Sequence, residues 1–228
     1  MAEPVKTRRY DNSRRQAQAR ATRAEVVAAA RNLFLARGYP ATTIEAIGEA
    51  ANVPLATIYR LFGSKRGILS AVLDVAFAGD DEPLALHDRP DARAAAAETD
   101  PRRLLAGYAR LARGVLDRSG PLQQMLRTAA AADPECASLL QTTRRQRLAG
   151  QSRIANTLAA RNALADGLTE PDALDIIYTL MSPELHHILT AERHWSASRY
   201  EQWLARTLAA ALLPPDACET LCYAEFLM

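Results

Sequence analysis

Residues 42–66 read TTIEAIGEAANVPLATIYRLFGSKR, and their spacing predicts two short helices that meet at a tight turn, with a further helix starting directly behind them. Thr42-Thr43-Ile44-Glu45 has the spacing of a capping box and opens a helix over about 43–51, with Ile44 and Ile47 facing inward. Asn52 stands at the turn, because asparagine tolerates φ above zero nearly as well as glycine. Pro54 suits the start of the next helix, where a missing N–H leaves nothing unsatisfied. Ile58, Leu61 and Phe62 give that helix its buried side and leave Leu55, Ala56, Thr57, Tyr59 and Arg60 outward. Ser64 caps the following helix, whose stripe Leu69, Val72, Leu73 and Ala76 returns to the core, with Lys65 in its first turn. This is the plan of a helix-turn-helix, in which one helix braces across phosphates while the next enters a major groove.

Upstream, Thr22-Arg23-Ala24-Glu25 again has capping-box spacing, and Val26, Val27, Ala30, Leu33 and Phe34 recur on one helical face. Gly38 then marks a left-handed stop, so a helix is expected over about 22–37. Residues 1–20 lack apolar periodicity and carry Lys6, Arg8, Arg9, Arg14, Arg15 and Arg20, the composition of a flexible basic arm. Such an arm lies along phosphates or in a minor groove, or serves solubility alone.

Charge follows the same division. Residues 1–70 hold 12 Lys plus Arg against 5 Asp plus Glu, whereas residues 71–228 hold 16 against 21. A basic head on an acidic body points to one surface built for phosphate. The chain has 46 Ala against 15 Val plus Ile, and no Asn-Gly or Asp-Gly hairpin signal, which favours an all-α fold. Cys136, Cys218 and Cys222 are odd in number and lack the second pair that a zinc site needs, as expected of a reduced cytoplasmic protein. Cys218 and Cys222 are either an oxidant-sensing pair or two incidental thiols. The sequence contains no run of 18 apolar residues and no apolar core behind the Arg-rich N-terminus, so neither a membrane span nor a signal peptide is expected.

The run TTIEAIGEAANVPLATIYRLFGSKRGIL, preceded by LFLARGYPA, closely resembles the DNA-binding domain of the tetracycline-repressor (TetR) family of bacterial transcription regulators. The resemblance covers about 50 residues, from Ala24 to Leu73. It implies a homodimer with an all-α ligand-binding body, released from double-stranded operator DNA by a small molecule. It also implies Thr42 or Thr43 at phosphates, Thr57 near bases, and Tyr59 and Lys65 at phosphates. This chain departs from the family at Asn52, where most members have Gly, and at Pro54, where a small polar residue is usual. Leu55 replaces a residue that is often polar or basic; it either touches a thymine methyl or is simply exposed.

Beyond residue 78 the chain turns acidic over 79–100 and is interrupted by Pro83 and Pro90, which marks a boundary with room for a short helix over the alanine run. Separate helices are then expected over 101–117, 121–132, 134–162, 171–194 (bent at Pro183) and 197–213. Thr143, Arg147 and Gln151 share a face with Leu140, Ile154 and Leu158. Such polar residues in an apolar stripe either direct hydrogen bonds into a ligand cavity or are paired internally or snorkel. Tyr108, Met125 and Tyr178 are candidates for the same cavity, or plain core. The resemblance implies that the last two long helices form the dimer interface, here through Leu185, Ile188, Tyr200, Trp203, Leu204, Thr207, Leu208 and Ala211. His186, His187 and His194 lie near it without the Cys or carboxylate spacing of a metal site, so no metal or cofactor is expected.

The expected organisation is a basic arm over 1–20, an N-terminal three-helix helix-turn-helix DNA-binding domain over 21–70, an antiparallel helical ligand-binding and dimerisation domain over 71–214, and a tail over 215–228. The expected function is a homodimeric repressor on a palindromic operator, released by a small-molecule effector. The alternative is a redox-responsive or architectural DNA-binding regulator without an effector. No nucleophile elbow, P-loop or dinucleotide fingerprint supports an enzyme.

Overall fold

The computed structural model of the chain describes residues 7–80 and 85–215. Lys6, Cys218 and Cys222, with their expected roles, lie outside the described residues. The described part is all-helical: α1 (Thr7–Ala41), α2 (Ile44–Ala51), α3 (Leu55–Phe62), α4 (Lys65–Ala78), α5 (Pro90–Ala97), α6 (Pro101–Ala130), α7 (Pro134–Ala160), α8 (Glu170–Leu180), α9 (Pro183–His187) and α10 (Ala197–Leu212). A 3-10 turn at Leu86–Asp88 precedes α5, and a π turn at Ile188–Glu192 follows α9.

Local chemistry sets the punctuation of the head. Gly38 takes φ 77°, as a stop requires, and Asn52 takes φ 52° and ψ 42° at the turn between α2 and α3. Ser64 caps α4 by accepting the Gly67 N–H at 3.1 Å. The cap of α2 is Thr43, which accepts the Ala46 N–H at 3.1 Å, so the expected box starting at Thr42 is one residue out of register. Pro54 is the N-cap of α3, one place before its expected position, and supplies no side-chain cap.

Four expectations about boundaries give way. α1 begins at Thr7, so residues 7–20 are helical where an arm was expected, and Thr22 sits inside the helix instead of capping it. Arg, Gln and Ala are strong helix formers, and no Gly or Pro interrupts the chain between residues 7 and 37. The two helices expected over 101–132 are one, α6, which runs through Gly120 and Pro121. Leu104, Leu105 and Leu116 before the proline and Leu122 and Leu126 after it are all buried, and that continuous burial outweighs one lost helical hydrogen bond. The single bent helix expected over 171–194 is instead broken. Ser182 is extended (φ −80°, ψ 146°), as a residue before proline prefers, and it caps a new helix that Pro183 opens.

Two cores follow. The first joins α1, α2, α3 and α4 (Val26, Phe34, Ile47, Ile58, Leu69) to the end of α6 and the start of α7 (Leu122, Leu126, Cys136, Leu139). The second fills the body with Leu104, Leu105, Leu116, Ile154, Leu158, Ile177, Tyr200, Leu204 and Leu208, from α6, α7, α8 and α10. α6 therefore runs through both, and Arg118 on it donates to the carbonyls of Ala76 (3.1 Å) and Phe77 (3.2 Å) at the end of α4.

The elbow between α3 and α4 is tight. A Cβ at Gly67 would stand 2.0 Å from the carbonyl oxygen of Phe62, a backbone atom that cannot swing aside. Gly67→Ala should therefore destabilise the fold by about 1–3 kcal/mol, read as a lower urea midpoint, whereas Gly150→Ala, where nothing lies within 4 Å, should not.

Candidate nucleic-acid interface and a cleft in the body

The expected contact residues sort by burial. Leu55, Ala56, Tyr59 and Arg60 stand out from α3, with Leu55 39% and Tyr59 48% exposed, while Ile58 is buried against the first core. Pro54 is exposed at the head of this surface and Thr57 is half-buried. The first-turn N–H groups of α3 have no side-chain cap, so the positive end of the helix dipole is left open beside an apolar and basic face.

Thr42 and Thr43 part company. Thr42 is fully buried, and its hydroxyl donates inside the protein to Gly38 O at 2.8 Å and Leu33 O at 3.3 Å. That removes Thr42 as a surface contact and leaves Thr43, which is exposed at the start of α2. Lys65 is likewise engaged, donating from Nζ to the carbonyls of Tyr39 and Thr42 at 3.0 Å each and lying 4.3 Å from the centre of the Tyr39 ring. Its ammonium has three donors, so one remains, and the charge is fixed beside the N-terminus of α2. α2 therefore begins with a capped dipole and a lysine at one corner, a disposition suited to an anion.

Beneath that corner, Tyr39 is 3% exposed, packs at 5.6 Å on Phe34, and shares a hydrogen bond with Cys136 at the start of α7. Burial pushes the Tyr39 hydroxyl well above its ordinary range, and the Cys136 thiol up to about 11. A thiol so protonated and enclosed is chemically quiet, so the redox alternative rests on Cys218 and Cys222 alone.

In the body, the five residues expected to share a cavity do not all meet. Met125 packs on the first core and Tyr108 on the second. Arg147 and Tyr178 do come together: Nη1 of Arg147 donates to Tyr178 O at 2.8 Å, and its guanidinium lies 3.5 Å from the centre of the Tyr178 ring. They line an open cleft of about 450 Å³ with Arg144, Thr179, Ser182 and Glu184. Gln151, one turn further along α7, is 7% exposed, and its Oε1 has no partner. Arg144 and the residues at the α8–α9 break were missed from sequence, since the cleft exists only because Pro183 ends one helix and starts another.

The expected dimer residues also divide. Tyr200, Leu204 and Leu208 are fully enclosed in their own subunit against α6 and cannot reach a partner. Ile188 is 43% exposed, Ala211 is exposed, and Leu185, Trp203 and Thr207 are half-buried. Of the histidines, His186 is buried, with Nε2 3.0 Å from Asp117 Oδ1 and its ring edge-on to Tyr200 at 4.8 Å. His187 lies 3.9 Å from Glu192, and His194 is exposed. Among the described residues no three His, Cys, Asp or Glu side chains form a metal-sized group, and no helix is long and apolar enough to cross a membrane.

The family description "Bacterial regulatory proteins, tetR family" matches residues 26–72, from within α1 to within α4. An uncharacterized HTH-type transcriptional regulator of Bacillus subtilis (strain 168), YvkB, is 44% identical over 54 residues, which span 24% of this chain and 29% of YvkB. The match thus spans under a third of that relative's length. Among solved structures, the SmeT–triclosan complex has a TM-score of 0.66 at 17% identity, covering 86% of this chain and 93% of that one. SmeT is the repressor of the Stenotrophomonas maltophilia multidrug efflux pump SmeDEF. Native NalD, the secondary repressor of the MexAB-OprM multidrug efflux pump in Pseudomonas aeruginosa, has a TM-score of 0.65 at 19% identity, covering 86% and 98%. At these identities the likeness to the solved structures is one of fold, and it extends over head and body together.

Two outcomes check the corner. Lys65→Met should lower stability by about 1–2 kcal/mol, because two carbonyls lose a charged donor, as read from urea unfolding. Cys136 should stay unmodified by iodoacetamide at pH 8 until denaturant is added, as peptide mass mapping will show.

Proposed function

We propose that this chain, whose residues 26–72 match the tetR family of bacterial regulatory proteins, is a homodimeric transcriptional repressor released from a palindromic operator by a small molecule. The observation that carries the DNA reading is the outward face of α3, where Leu55, Ala56, Tyr59 and Arg60 are exposed together on a helix whose N-terminus has no side-chain cap. In this reading that face enters the major groove, with Thr57 at its edge and Pro54 at its head. Thr43 and the remaining donor of Lys65 hold phosphates at the start of α2. Exposed Leu55 gives van der Waals contact to a thymine methyl, which favours A·T pairs in the half-site.

The division of labour is a DNA-binding head up to about residue 70 and a ligand-binding, dimerising body after it. Leu185, Ile188, Trp203, Thr207 and Ala211 form the partner-facing surface of the last helices. A two-fold dimer sets two copies of α3 about one turn of DNA apart, so a near-palindromic operator follows from symmetry. Release by a ligand is supported by the shared fold: SmeT was solved with triclosan, and SmeT and NalD are named repressors of efflux pumps.

Phosphate contacts release counterions. If the dimer neutralises about eight phosphates, doubling the salt should weaken binding on the order of a hundredfold. Fluorescence titration of the promoter fragment upstream of this protein's own gene, at two salt concentrations and against random DNA, measures both slope and preference. No preference over random DNA at either concentration rules the reading out.

A further inference from the structure

The cleft in the body carries a charge pattern that specifies its ligand. Arg147 is half-buried, with one guanidinium nitrogen on the Tyr178 carbonyl and its face on the Tyr178 ring. Burial pulls its pKa below the ordinary arginine value, with Tyr178 opposing that shift. No described carboxylate pairs with it within 4 Å, so a guanidinium with five N–H donors is left largely without an anion. Arg144, one turn back on α7, lines the same cleft and makes no hydrogen bond or ion pair among the described residues. The one carboxylate in the wall, Glu184, is taken by Arg127 at 2.9 Å. Glu184 also acts on Arg147 from a distance, so Arg127, Arg144 and Arg147 face a single carboxylate and the mouth is net positive. A recess of about 20 Å³ beside it, lined by Gly120, Gln123, Gln124, Leu140, Thr143 and Pro183, has room for little more than a water molecule.

We propose that this cleft binds an organic carboxylate: the carboxylate lies across Arg144 and Arg147, and the rest of the molecule lies in the open cleft along Tyr178, Thr179 and Ser182. A planar, two-oxygen anion matches the guanidinium fork, and the volume suits a small molecule. As the effector of the repressor, this ligand rests on the reading above. Its binding to the cleft does not, and is measured without DNA.

The test is isothermal calorimetry on the full chain with 2-naphthoate and octanoate, each against its uncharged primary amide. At least one acid should bind about tenfold more tightly than its amide, and Arg144→Gln should abolish that preference. Arg145→Gln, which removes the same charge from the neighbouring exposed position, should keep it. Anisotropy on the promoter fragment is run on the same preparations, so a failure to bind DNA is scored separately. Equal affinity of acids and amides, or equal loss in the Arg144 and Arg145 variants, overturns the proposal. Should Arg144→Gln fold poorly, Arg147→Lys, which keeps the charge but not the fork, should weaken the acid and spare the amide; an unchanged acid affinity there overturns it as well.

Discussion

The ammonium of Lys65 holds the corner on which the head is built. Between Gly38 and Thr43 the chain leaves one helix and enters another, and there the Tyr39 carbonyl keeps a single backbone donor, the Thr42 N–H at 3.3 Å. Lys65 gathers this carbonyl and that of Thr42 from the first turn of α4 and lies over the Tyr39 ring. A compact point charge suits carbonyls that converge on it, whereas a planar guanidinium is shaped for two parallel oxygens. Remove the charge, and α1, α2 and α4 keep their shared apolar core but lose the polar tie at this corner. The same tyrosine reaches Cys136 on its other side, so the corner is also where the body touches the head.

How much of this could be read from the sequence depends on how far apart the deciding atoms are. Gly38, Asn52 and Ser64 act through their own φ or on a neighbour three residues away, and all three behave as their types dictate. Pro121 and Pro183 do not, because the outcome at a proline depends on what the flanking residues bury. The leucines around Pro121 are all inside, and the helix continues; at Pro183 a serine is ready to cap, and the helix restarts. Thr42 and Thr43 look alike in the sequence, and only the packing of α1 on α2 sends the first inward. The apolar stripe of α10 was legible, yet periodicity says that Tyr200, Leu204 and Leu208 are covered without saying by what; the cover is α6 of the same subunit. Arg147 and Tyr178 are 31 residues apart, and no local pattern announces their pairing.

The two cores are joined by one long element. At 30 residues α6 is about 45 Å long, contributing Leu104, Leu105 and Leu116 to one core and Leu122 and Leu126 to the other. Head and body are therefore not beads on a linker: the apolar surface of the head is partly completed by the body. Such sharing favours unfolding as one cooperative unit.

The close approach of Gly67 to Phe62 has a mechanical side. With no room for even a methyl group at the elbow, the end of α3 sits directly on the first turn of α4, so the direction of one helix is tied to that of the other. The far end of α4 is held where Arg118 grips its last carbonyls, about 20 Å away along a 14-residue helix. A tilt of about 5° around that grip carries the elbow through roughly 2 Å, enough to lift side chains out of hydrogen-bonding range of base edges. Any tilt of α4 about that grip would thus appear at the elbow as translation, as in a crank.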